Sequence, residues 1–154
     1  MQLRIGDHVT PIRVRAIVYW AATLIIAMEL AAGGVWDILQ IAYVHDLVVE
    51  HLGYPAYFLV ILGLWKIPGA AALLVPRFPR LTEWAYAGAF FTYTGAVASH
   101  LAVGDSVGVW WGPLVFAGIT LVSWALYPSV RRGESGSVVR HRRGALKKRG
   151  ARHE

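Results

Sequence analysis

Three ionisable side chains stand inside runs of apolar residues: Glu29, Lys66 and His100. A charge at the centre of a bilayer costs about 2.5 to 3.5 kcal/mol on insertion scales, so each is expected to face a partner or a cavity. At a rise of about 1.5 Å per residue from the basic end of each run, Lys66 lies about 14 Å deep, Glu29 about 20 Å and His100 about 24 Å. A lysine stem reaches roughly 6 Å by snorkelling, which brings the Lys66 ammonium level with Glu29, and an ion pair is expected there. Tyr93 shares a helical face with His100, Asp37 stands at the outer end of the first run, and Trp65 adjoins Lys66. These residues predict a polar pocket rimmed by Asp37 and His100 and floored by Lys66 and Tyr93, with Trp65 able to stack on a ligand. Such groups can hydrogen-bond carbonyl oxygens and pass a proton. The competing reading is that a Glu29–Lys66 pair only fixes helix register and that Trp65 only packs.

The elements that must position these groups are four apolar runs, roughly 16–36, 55–75, 84–103 and 110–127, in a chain 56% hydrophobic and 16% charged. Each is near the ~20 residues that cross the hydrocarbon core as helix. An all-α, polytopic membrane protein is predicted, built as a four-transmembrane-helix bundle over residues 16–127. The runs do not alternate apolar with polar, as barrel strands would. The first run exceeds the h-region of a signal peptide and carries Glu29, so it is read as retained. Small residues flank the charges, Ala22, Ala32 and Gly33 around Glu29 and Gly63, Gly69 and Ala70 around Lys66, and should let the helices approach closely. Pro68 should kink the second helix just after Lys66 and free the carbonyl of Leu64.

Charge orients the bundle. Of 15 Lys and Arg, three precede the first run, two lie between the second and third, nine follow the fourth and one is Lys66. The other two loops carry Asp37, Asp46, Glu50 and Asp105 instead. Under the positive-inside rule both termini are cytoplasmic, and tryptophans and tyrosines at the run ends fit an interfacial belt. Residues 1–15 then form a cytoplasmic segment. The stretch 37–54 is predicted to be an outer amphipathic helix with Ile41, Val44, Val48 and Leu52 on one face, either a packing cap or a lid. Residues 128–154 form a basic cytoplasmic tail, expected to be disordered and drawn to anionic lipids, with no nucleic-acid role.

Absent motifs exclude much. With no cysteine there is no disulfide, thiolate nucleophile or iron-sulfur cluster. Neither a phosphate-binding glycine loop nor a serine nucleophile elbow occurs, and no catalytic motif marks the chain as an enzyme. His45, His51 and His100 have no recognised zinc spacing, so no metal site is expected.

The stretch LGYPAYFLVILGLWKIPGAAALLVPRFPRLTEWAYAGAFFTYTGAVASHLAVGD resembles the DoxX-like family, with 16–127 covered and the basic tail outside. The resemblance implies a four-helix bacterial membrane protein similar to subunits of quinone-linked sulfur oxidation and membrane oxidoreductase complexes. It places recurring polar residues on Lys66 and His100, with Glu29 as the acidic residue of the first helix. The function expected is a binding or accessory subunit holding a quinone or similar lipophile, at most part of a membrane oxidoreductase, with an oxidoreductase or a second copy as partner within the lipid bilayer. The alternatives are a small proton-coupled transporter using Glu29, or a purely structural membrane partner. The one-sided charge bias argues against the dual insertion common among small exporters.

Overall fold

The computed structural model describes residues 9–127; the predicted N-terminal segment 1–15 falls largely outside them and the basic tail 128–154 wholly so. The described residues are helical throughout their regular structure. Helix α1 spans Val9–Leu39, α2 spans Ala42–His45 and runs into a π-helical segment Asp46–His51, α3 spans Ala56–Leu74, and α4 spans Pro79–Ala102. A last helix, α5, covers Val107–Tyr127.

Three of these, α1, α3 and α5, are long and apolar enough to cross a membrane. The expectation of four such runs is thus met by three. Helix α4 is long enough at 24 residues, but Arg80 and Glu83 in its first turns and its hydroxyl side chains make it less apolar. The predicted amphipathic helix 37–54 is likewise divided: its first residues end α1, Gln40 at φ 46° breaks the chain there, and α2 with the contiguous π-helical segment carries the stretch on to His51. Asp37 lies inside α1 rather than beyond it.

Large apolar side chains cover the outside of the bundle: Ile17, Met28, Trp65, Trp84 and Phe91 are all at least two-thirds exposed. A membrane protein presents such a surface to lipid, since tails are as apolar as the side chains. Inside, Ile26, Ala27 and Leu30 of α1 meet Ala70 and Leu73 of α3, Tyr86, Ala89 and Tyr93 of α4, and Ala117 of α5. Helices α1 and α3 approach most closely where Gly34 faces Gly63: a Cβ added at Gly63 would strike the Gly34 carbonyl and lie 2.7 Å from Ile38 Cγ1. At the opposite end, Thr23 Oγ1 lies 2.7 Å from Ser123 Oγ, which in turn is 2.8 Å from the Tyr86 hydroxyl. This buried polar link ties α1, α4 and α5, as interhelical hydrogen bonds do in apolar surroundings.

Candidate ligand-binding site

Helix α4 repeats its buried face every two turns, so Tyr86, Tyr93 and His100 fall in one line, 3%, 4% and 4% exposed. On α1, Glu29, Gly33 and Asp37 recur at i, i+4 and i+8 and form a facing stripe. Tyr93 and His100 of the first stripe, Glu29 and Asp37 of the second, and Lys66 of α3 border a cavity of about 690 Å³. Five of the six residues singled out above line it: Glu29, Asp37, Lys66, Tyr93 and His100. Trp65 does not. Successive helical residues point about 100° apart, so Trp65 is 75% exposed and faces a neighbouring groove of about 370 Å³, which shares Lys66 with the cavity.

The charge pairing differs from expectation. Lys66 Nζ stands 2.9 Å from Asp37 Oδ2, whereas no contact within 4.0 Å joins it to Glu29, whose carboxyl oxygen Oε2 accepts a hydrogen bond from Tyr93. The register follows from α1 continuing three residues past its predicted end, which keeps Asp37 on the inner stripe, and from the Gly34–Gly63 approach, which brings α3 close. Asp37 is 1% exposed, and Lys66 meets its Oδ2 off the direction of a hydrogen bond, so that oxygen lacks an aligned donor. Gly33 clears the space between the Glu29 carboxyl and the Lys66 ammonium. A Cβ there would lie 3.1 Å from Glu29 Oε1 and 3.3 Å from Lys66 Nζ.

Aromatic rings form much of the wall. Tyr93 stacks on Phe116 at 5.4 Å between centroids and Tyr54 on Phe58 at 4.6 Å, all four bordering the cavity. Tyr54 also bonds Ser99 at 2.8 Å, linking the start of α3 to α4. Val44, Leu47, Val48 and Leu52, from α2, the π-helical segment and its end, close one side. Three of those belong to or adjoin the apolar face read from sequence, and that face turns toward the cavity.

The sequence profile of the DoxX-like family matches residues 21–123 of this chain, a span that takes in every one of these groups. The chain belongs to the DoxX-like family. No curated protein and no solved structure matches it.

At one mouth of the cavity this DoxX-like protein holds a cluster that its sequence did not disclose. Helix α4 ends in a Schellman motif: Gly104 takes φ 83°, its N–H bonds Leu101 O at 3.2 Å, and the Asp105 N–H bonds His100 O at 3.0 Å. The turn folds the Asp105 carboxylate back on the side chain of His100, with Nδ1 2.6 Å from Oδ2. His51, at the end of the π-helical segment, reaches the same carboxylate through Nε2 at 2.9 and 2.8 Å. Hydrogen bonds from His100, then from His51, hold the Asp105 carboxyl below its usual value. With Nδ1–H assigned as donor to Asp105, a neutral His100 ring keeps Nε2 as an acceptor. The readable signal was a histidine closing a helix before Gly-Asp. His51 lies 54 residues away from Asp105, and no spacing rule connects them.

Proposed function

We propose that this DoxX-like protein spans the membrane four times, with α1, α3, α4 and α5 and both termini cytoplasmic, and holds a quinone or similar lipophile as a binding or accessory subunit of a membrane oxidoreductase. One observation carries the reading: an apolar, aromatic-walled cavity inside a membrane bundle on which Glu29, Lys66, Tyr93 and His100 converge. Its volume falls among small-molecule sites, which are mostly apolar with a few polar groups that fix orientation. In this reading α4 crosses as the helix that is apolar toward lipid and polar toward the cavity.

The residues fit such a ligand. Lys66 has three N–H groups, and the Asp37 contact leaves others to donate to a carbonyl oxygen. His100 offers Nε2 to a hydroxyl, or donates from it to a carbonyl when the ring is protonated. Glu29, bonded to Tyr93, tunes Lys66 or relays a proton, and the stacked aromatics cover a ring. The quinone when bound would supply two-electron redox chemistry that this chain's own side chains lack. The short helices over the cavity act as its lid.

A ligand bound only by the folded state raises thermal stability by mass action, about 2.7 kcal/mol at a concentration 100 times its Kd. Ubiquinone or menaquinone analogues are therefore expected to raise the Tm of the purified protein in detergent, and Lys66→Met with His100→Ala to abolish the rise. Binding of hydrophobic cations that weakens as pH falls, with no quinone effect, would instead establish the transporter reading.

The orientation has its own test, clean because the chain has no native cysteine. Ser106 and Arg77 are both exposed, in the α4–α5 and α3–α4 connections. In intact cells Ser106→Cys is expected to react with an impermeant thiol reagent and Arg77→Cys only after the membrane is opened. The opposite pattern inverts the topology.

A further inference from the structure

We propose that His51, His100 and Asp105 form a binding site for a divalent transition metal of the zinc type at the outer mouth of the cavity. One ligand atom from each lies within 4.8 Å of the others. The three come from separate segments: the end of the π-helical segment, the last turn of α4 and the cap that follows it. Two imidazole nitrogens and a carboxylate oxygen are a donor set for zinc and its first-row neighbours, whereas calcium and magnesium take oxygen ligands. Three protein ligands leave the fourth tetrahedral position to water or to another ligand.

The geometry needs little change. Ligand atoms around a tetrahedral zinc with bonds of about 2.0 to 2.1 Å stand about 3.3 Å apart. The nitrogens now meet the carboxylate at 2.6 to 2.9 Å and lie within 4.8 Å of each other, so opening from the carboxylate by under about 1 Å and closing between the rings by no more than about 1.5 Å, within side-chain rotation, admits the ion in place of the bridging protons. The site is also framed. His100 is 5% and Asp105 14% exposed at the side chain, which fixes two ligands in the fold, and His51 at 47% leaves a path for the ion from outside. The backbone bond from Asp105 to His100 fixes the relative position of those two before any ion arrives. His45, Asp46 and Glu50 make a second group of possible ligands, but two of its three members are exposed and its closest charged contact is 4.0 Å. The assignment does not depend on what fills the cavity.

The test uses the full chain, purified without a histidine tag, stripped with chelator and carrying His8→Ala, His141→Ala and His153→Ala to remove the terminal histidines. Titration with zinc by calorimetry is expected to show one ion per chain, and cobalt to give the absorption of a tetrahedral site. His51→Ala, exposed and so compatible with folding, should weaken zinc by more than the 10- to 100-fold lost with a mere supporting residue. Asp105→Asn should do the same, while His45→Ala should leave affinity unchanged. Folded parent protein that binds no zinc would show a histidine–aspartate–histidine hydrogen-bond link only and overturn the proposal. So would binding that survives His51→Ala, or binding lost with His45→Ala.

Discussion

Lys66→Met is expected to destabilise the folded protein by about 3 to 5 kcal/mol, because it leaves the Asp37 carboxylate buried with no opposite charge. Asp37 is 1% exposed and Lys66 12% exposed at the side chain, so water can restore little of what the pair supplies. The double variant Lys66→Met with Asp37→Asn should regain most of the loss, since removing both charges leaves a neutral site. Denaturation in one detergent, read for the two single variants and the double, gives the coupling energy. The same cycle with Glu29→Gln should give a smaller coupling, because Glu29 bonds Tyr93 and meets Lys66 only across the space that Gly33 leaves open. A Glu29–Lys66 coupling equal to or above that of Asp37–Lys66 would refute the observed pairing.

Gly63→Ala is expected to cost about 1 to 3 kcal/mol, the range for forcing an extra methyl into a packed contact, although alanine is the better helix former. The added carbon would run into the Gly34 carbonyl and lie 3.1 Å from Asp37 Cβ. Backbone cannot rotate aside as a side chain can, so α1 and α3 must separate, and the Lys66–Asp37 contact lies in that same seam. Gly118→Ala, where nothing stands within 4 Å of the new carbon, should be neutral or slightly stabilising. Melting temperatures of the two variants decide the matter: equal effects would mean that the glycine contact does not hold the helices at their observed distance. Quinone binding, if the cavity takes one, should fall with Gly63→Ala and not with Gly118→Ala.

Much of the site was legible because lone polar residues in apolar runs are conspicuous. Glu29, Lys66 and His100 declare themselves by the energy of placing charge in hydrocarbon, and Tyr93 follows from His100 by two helical turns. All four line one cavity. What misled the pairing was the depth argument. It used the reach of a lysine stem and a helix ending near Trp36, whereas α1 runs on to Leu39 and carries Asp37 into the interior. Trp65 was drawn in by adjacency to Lys66, and adjacency in a helix means divergence by about 100°.

Sequence by itself determined that this is a helical membrane protein, where its apolar segments lie and which side chains would be out of place in lipid. These are properties of composition within one segment, set by transfer energies that do not depend on neighbouring helices. Only the tertiary structure decided which charges meet, that His51 and His100 share Asp105, and that the amphipathic stretch covers a cavity. Those outcomes depend on helix rotation and separation to within an ångström or two. Here they are set by the Gly34–Gly63 approach and the Gly104 cap, where the lack of a Cβ at one and a positive φ at the other decide how closely the chain can pass or turn.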